Sequence, residues 1–371
     1  MIRNDDPQRR FADLLHHRAH RLAKGDPVAP GIISATTYHL PETAGAPFAY
    51  GRMSTPTWEE LEEQLAILEA APCVGFPSGM AAISAALFAT LKAGDRLIIP
   101  SDGYYVTRVL GTEFLKPLGI QITEVPTTRI ATFDLTGAAV VYLETPSNPG
   151  LDLCDIALVA ANAHAAGALV IVDNTTMTPL LQRPLDLGAD LVVAADTKAP
   201  AGHSDVLFGH VAGRDASLMK RIRDWRRISG AVPGAFEAWL VHRGIETLEV
   251  RLDRMCRSAE AIAQRLSAHP RITALRYPGL PSDPSHALAN KQMSGYGFLL
   301  TFTLEDEARA EAFLAACPYI AQTTSFGGTH TAGERRARWG DPVAPGFIRL
   351  SIGCEPLEPL WEAIAAALNA N

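Results

Sequence analysis

Cysteine is scarce and unpatterned in this chain: Cys73, Cys154, Cys256, Cys317 and Cys354 are the five in 371 residues, an odd number with no C-x-x-C spacing. Such spacing suggests neither a disulfide framework nor a zinc site, no metal is expected, and the reducing cytoplasm is the expected compartment. Basic residues are outnumbered, 33 Lys and Arg against 40 Asp and Glu, for a net charge of −7. That balance argues against nucleic acid or an anionic membrane surface as partner, because both call for a basic face. No apolar run approaches the length that spans a bilayer, and Met1 to Lys24, studded with Arg, His and Asp, lacks the apolar core of an export signal. No G-x-G-x-x-G follows a strand-like run, which argues against a nicotinamide-binding enzyme. A small-molecule partner remains.

What is present is an ordinary globular composition, 47% hydrophobic and 20% charged, on a chain long enough for about two domains. The first 45 or so residues carry no sustained pattern, and Pro27, Pro30, Pro41 and Pro47 break the stretch after Lys24 into extended pieces. Residues 1–47 are therefore expected to form an arm. Thr57 and Glu60, just after Pro56, have the spacing of a capping box, with Trp58, Leu61, Leu65 and Leu68 at helical spacing behind them. Short apolar runs then alternate with helical stretches: Arg96–Pro100, Ala139–Leu143, Ala168–Val172, Leu191–Ala194 and Val206–Val211 read as buried strands, and Asp155–Ala166, closed by Gly167, as a crossover helix. This alternation predicts an α/β domain over 48–235 with a mostly parallel sheet. Over 236–371 two long helical stretches (Ala235–Leu248, Glu249–Ala268) precede strands at Ile272–Tyr277, Phe298–Thr303 and Phe347–Ile352, interleaved with helices at Asp306–Ala316 and Leu357–Ala370. A smaller α+β domain fits that order.

Ligands of open α/β sheets bind beyond the carboxyl ends of the strands, and three such ends carry chemistry. Asp173 follows Ala-Leu-Val-Ile-Val, Lys198 follows Leu191–Ala194 by a short turn, and Asn148 lies just past Val140–Leu143. Ser78-Gly79-Met80 opens an Ala-rich helix, where free N–H groups and the helix dipole favour a phosphate. A lysine amine, a carboxylate and a phosphate cradle are together what pyridoxal 5'-phosphate (PLP) requires: a Schiff-base partner, a counter-ion for the pyridine nitrogen and an anchor.

Further blocks carry a resemblance. Tyr50-Gly-Arg52, Ser78-Gly-Met-Ala-Ala82, Glu144-Thr-Pro-Ser-Asn-Pro149, Asp173-Asn-Thr175, Gln182 to Asp190, Thr197-Lys198, Gly202-His-Ser-Asp205, Ser325-Phe-Gly-Gly328 and Ile348-Arg-Leu-Ser-Ile-Gly353 are similar to those of the Cys/Met-metabolism PLP enzymes, which include the cystathionine γ-synthases, β-lyases and γ-lyases. The resemblance runs from about Ala49 to the C-terminus. It implies a fold type I, aspartate-aminotransferase-like architecture, and a homotetramer built as a dimer of dimers with shared active sites.

It also implies roles. Lys198 would carry the cofactor and shuttle protons, Asp173 would pair with the pyridinium, and Tyr104 would stack on the ring and help proton transfer. Gly79, Met80 and Thr197 would bind the phosphate, which Tyr50 and Arg52 would reach from a neighbouring subunit. Arg349 would hold the substrate α-carboxylate, helped by Asn148 and Ser325. Among the activities of the family, α,γ-elimination on L-cystathionine is expected first, on the Thr324–Gly328 and Arg335–Gly340 stretches. γ-Replacement on an O-acyl-homoserine, β-elimination, methionine γ-elimination and a non-catalytic PLP-binding protein are the alternatives.

The chain departs from the family pattern at Thr55, Tyr105-Val106, Ala195, Ala199-Pro200-Ala201 and His330. His16, His17 and His20 are read as a solvated helix face, His203 as a loop hydrogen bond or a neighbour of the lysine, and Trp225, Trp239 and Trp339 as packing residues.

Overall fold

The computed structural model describes residues 7–40 and 48–370; Pro41 and Pro47 of the expected arm lie outside them. Seven strands, β1 (Cys73–Phe76), β2 (Arg96–Pro100), β3 (Gln121–Val125), β4 (Ala138–Glu144), β5 (Leu169–Asp173), β6 (Leu191–Ala194) and β7 (Gly209–Gly213), form one sheet in the order β1-β7-β6-β5-β4-β2-β3. β6, β5, β4, β2 and β3 run parallel, whereas β7 is antiparallel to both β6 and β1.

Successive strand residues point to opposite faces, and here both faces are buried. Val141, Leu143, Val170, Val172 and Val192 enter one apolar core, while Val140, Tyr142, Ile171, Leu191 and Val193 enter the other. This double burial explains the uninterrupted apolar runs of the central strands. The crossover helix expected before β5 is Ile156–Ala165, N-capped by Asp155, whose carboxylate accepts from Leu158 N–H.

Five further strands, β8 (Ala274–Arg276), β9 (Leu299–Thr303), β10 (Ala321–Gln322), β11 (Ala332–Arg335) and β12 (Phe347–Ser351), form a second sheet in the order β10-β11-β12-β9-β8. The helices Leu248–Ser267, Glu307–Ala316 and Leu357–Asn369 enclose its own core around Phe302, Phe313, Ile348 and Ile364. No helix among the described residues is long and apolar enough to cross a membrane.

The N-terminal stretch and the helix after it hold three corrections. Helix α1 (Pro7–His16) forms there, burying Phe11 and Leu14 against helix α2 (Pro56–Glu69). The cap of α2 is Thr55, whose hydroxyl accepts from Trp58 N–H, because Pro56 already occupies the first helical position. Thr57 instead bridges the arm, accepting from Ile33 N–H and donating to Gly31 O.

His17 is likewise not on a solvated face. It is half-buried, its Nε2 2.8 Å from Glu60, and that pairing raises its pKa. Arg18 and Arg21 also hold Glu60, and Arg21 holds Glu63, so the His17, Glu60 and Glu63 group is already charge-paired.

Candidate active site

A cavity of about 420 Å³ opens at the carboxyl ends of β4, β5 and β6. Helix α3 (Gly79–Thr90) points its N-terminus at it. Ser78 caps that helix by accepting from Ala81 N–H, and Ser78 O accepts from Ala82 N–H. The N–H groups of Gly79 and Met80 precede this ladder and stand at the cavity wall, the usual setting for an anion. Space there is tight: a Cβ on Gly79 would lie 2.6 Å from Ala195 Cβ, and one on Gly209 would lie 2.7 Å from Gly79 backbone.

Asp173 ends β5 and is buried. Tyr142 donates its hydroxyl to Asp173 at 3.0 Å, and Thr175 N–H donates at 2.9 Å. Glu144, ending β4, is the direct register partner of Asp173, so the sheet sets two buried carboxylates side by side. Burial, then the Asp173 charge, pushes Glu144 well above the usual carboxylate range. Asp173 is also raised by burial, opposed by Thr175, Tyr142 and Lys198. The proton of the pair belongs on Glu144, leaving Asp173 as the anion.

Lys198 lies in the turn after β6, its Nζ over the Phe326 ring at 5.1 Å. Burial, then the Arg349 charge, lowers its amine to about 8, against the pull of Asp173 and Glu334. Backbone bonds shape the turn: Lys198 N–H donates to Ala195 O, Ala201 N–H to Asp196 O, and the Thr197 hydroxyl both donates to Phe208 O and accepts from Phe208 N–H. The departure Ala199-Pro200-Ala201 is held by Arg251, which donates to the carbonyls of Ala199 (2.7 Å) and Pro200 (3.1 Å). His203 lies outside the cavity, with Nδ1 2.6 Å from Ala201 O in the same loop.

Tyr104 precedes the short helix Tyr105–Val109, its backbone N–H donating to Glu144 at 2.6 Å. Burial, then Tyr105 and Glu144, raises its phenol, which therefore keeps its proton.

Arg349, on β12, enters from the second sheet. Its guanidinium donates to Asn148 Oδ1, to Ser325 O at 3.0 Å and to Glu334, and burial lowers it to about 10. Ser325 contributes its carbonyl at a φ of +78°, a backbone cost tolerated where the loop is fixed by its neighbours.

Lys198, Asp173, Tyr104, Asn148, Gly79, Met80, Thr197, Ser325 and Arg349 thus line one cavity. Tyr50 and Arg52 do not: Tyr50 is exposed, and Arg52 donates to Arg227 O. Trp225 stacks on Phe88 and Trp239 donates to Pro30 O, but Trp339 is not a packing residue. It is 56% exposed, lines the cavity and donates to Glu334 at 2.9 Å.

Tyr142 and Glu334 escaped the sequence reading, which held Thr175 and Arg336 only inside motif blocks and gave them no role of their own. Tyr142 carried a signal, since a tyrosine inside a wholly apolar strand needs a partner for its hydroxyl. Glu334 carried none, since β11 is only four residues long.

PLP brings an aldehyde, a basic ring nitrogen and a phosphate. The cavity offers a low-pKa amine, a buried anion and a helix N-terminus whose Gly79 and Met80 N–H groups donate to no protein partner among the described residues. The residues fit the cofactor.

Residues 13–369 match the model of a family described as Cys/Met metabolism PLP-dependent enzyme. A Streptomyces coelicolor protein, provisionally named a cystathionine gamma-lyase, is 50% identical over 93% of this chain and 90% of its own. The L-methionine gamma-lyase of Pseudomonas deceptionensis is 36% identical over 96% of each. The crystal structure of a cystathionine gamma synthase from Xanthomonas oryzae, with aminoacrylate and cysteine, superposes with a TM-score of 0.93 at 34% identity over 97% of each chain.

Proposed function

Because the chain belongs to the Cys/Met metabolism family of PLP-dependent enzymes, we propose that it cleaves the Cγ–S bond of L-cystathionine, giving cysteine, 2-oxobutanoate and ammonia with uptake of one water. The convergence of Lys198, Asp173, the α3 N-terminus and Arg349 on one cavity carries the reading of the site. The γ-lyase assignment within the family is supported by the name of the relative 50% identical to this chain.

When bound, PLP supplies an electron sink conjugated to the substrate α-carbon. Lys198 would hold it covalently, Gly79, Met80 and Thr197 its phosphate, and Asp173 its ring nitrogen. Arg349 fixes the substrate α-carboxylate through its planar fork, oriented by Asn148, Ser325 O and Glu334. Lys198, whose burial lowers its amine, is suited to take the α-proton once the substrate amine has replaced it. Tyr104 keeps its phenol proton and would give it to the departing thiolate.

Tyr50 and Arg52, outside their own cavity, would complete the phosphate site of a partner copy in a homotetramer. Five free cysteines support a reducing, cytoplasmic setting.

The apolar rim formed by Tyr105, Leu207 and Trp339 favours a second reading, γ-elimination from methionine. Arg336, which also lines the cavity, is already paired with Glu334 and Asp341 and offers little to a distal amino-acid group.

Identification of the products decides. 2-Oxobutanoate and cysteine from L-cystathionine support the first reading, and 2-oxobutanoate from methionine alone supports the second. Pyruvate would replace both by β-elimination. Cystathionine formed from O-acyl-homoserine and cysteine would make it a synthase.

A further inference from the structure

Behind the lysine turn, on the sheet face opposite the cavity, three buried ionisable groups meet. His210 of β7 shares its face with Ala212, while the flanking Val211 packs on the α3 side. Its Nδ1 lies 3.0 and 2.9 Å from the two carboxylate oxygens of Asp196, and its Nε2 lies 3.3 Å from Glu69 Oε1 at the end of α2. Their relative exposures are 1%, 0% and 4% for His210, Asp196 and Glu69. An imidazole with a carboxylate at each nitrogen satisfies both only as the doubly protonated cation. The two carboxylates outweigh burial and raise its pKa to about 10. Cys73 stands beside the trio with its thiol held neutral by burial, and Arg10 and Arg183 present their charges to Glu69.

Asp196 is two residues before Lys198 and next to Thr197, in the turn that also donates Thr197 N–H to Phe208 O and accepts Ala201 N–H at Asp196 O. An ion pair on the Asp196 side chain therefore fixes the stem of the loop whose other side carries the cavity lysine. We propose that His210, clamped between Asp196 and Glu69, is a positioning residue that acts through Asp196 to hold Thr197 and Lys198 where PLP meets them. This rests on the reading of Lys198 as the cofactor lysine.

The test uses holoenzyme and three variants, His210→Gln, Asp196→Asn and Glu69→Gln, with three readouts: the PLP dissociation constant, the pH titration of the bound-cofactor absorbance, and Tm. His210→Gln and Asp196→Asn are expected to weaken PLP binding by about tenfold, the worth of one charge-assisted hydrogen bond, and to shift the titration. Glu69→Gln, which removes the partner on the α2 side of the imidazole and leaves the Asp196 contact in place, is expected to lower Tm with the titration unmoved. Should His210→Gln not fold, Asp196→Asn carries the same expectation. If the variants that fold lower Tm alone, with PLP affinity and titration as in the parent, the trio is a structural ion pair and the proposal falls. Borohydride reduction of the parent holoenzyme with peptide mapping separates the two levels: a cofactor label on any residue but Lys198 overturns the site reading itself.

Discussion

Arg349 donates to Glu334 across the β11–β12 ladder, where the two are direct register partners. The same carboxylate accepts from Arg336 at 2.8 Å and from Trp339 at 2.9 Å. One anion thus sets the direction of the guanidinium that faces the substrate carboxylate. Glu334→Gln leaves two buried cations without their shared counter-charge and is expected to cost about 3 kcal/mol in urea unfolding. KM should rise more than kcat falls. An unchanged KM would remove the orienting role from Glu334.

Arg349→Lys keeps the charge but loses the fork. The KM for an amino-acid substrate is expected to rise by roughly 10- to 100-fold, as for a bidentate pair reduced to a point charge. Competitive binding of a non-reacting amino acid should weaken in parallel. Retained affinity would place carboxylate recognition elsewhere in the cavity.

Lys198→Met should abolish turnover while the protein stays folded by circular dichroism. It also gives a pH test on the cofactor-free protein. The folded amine titrates near 8 against 10.5 for an ordinary lysine. The unfolded chain thus binds more protons between those values, and the parent gains stability as pH rises through that window. Below pH 8 the parent carries the full cost of a buried cation, so its Tm deficit relative to Lys198→Met should be largest there and shrink toward 10.5. A gap that widens with pH would contradict the buried, low-pKa amine.

Gly79→Ala places a methyl 2.6 Å from Ala195 Cβ and 3.1 Å from its Cα, so helix start and lysine turn must separate. A stability loss of about 1–3 kcal/mol is expected, with weaker PLP binding. Calorimetry and PLP titration read the two effects. Unaltered PLP affinity would argue against a phosphate at the α3 N-terminus.

Tyr104→Phe removes the phenol whose proton burial retains. A fall in kcat of roughly 100-fold is expected for loss of a positioned acid, with PLP affinity reduced less. Equal kcat on substrates with good and poor leaving groups would show that protonation of the leaving group is not its role.

Asp173, Lys198 and Asn148 were legible in the sequence for one physical reason, and the Ser78-Gly79-Met80 cradle for another, the start of an Ala-rich helix. A strand buried on both faces is written as an unbroken apolar run, so its polar terminator stands out, and parallel strands put those terminators at one edge. Where burial is partial or a strand is very short, that signal fades: β3 is half-exposed, and β10 and β11 have two and four residues. Single residues also depended on neighbours remote in the chain. The Thr57 hydroxyl is claimed by Gly31 and Ile33, and His17 is held by Glu60, 43 positions on in the numbering.

The sequence by itself determined the central strands of the large sheet, the strand-end chemistry and the cofactor, because these follow from local periodicity and residue type. The tertiary structure alone decided which groups share a charge: Glu144 with Asp173, Glu334 with Arg349 and Arg336, and His210 with Asp196 and Glu69. Pairings of this kind depend on strand register and on packing between elements far apart in the chain, and no local pattern encodes either.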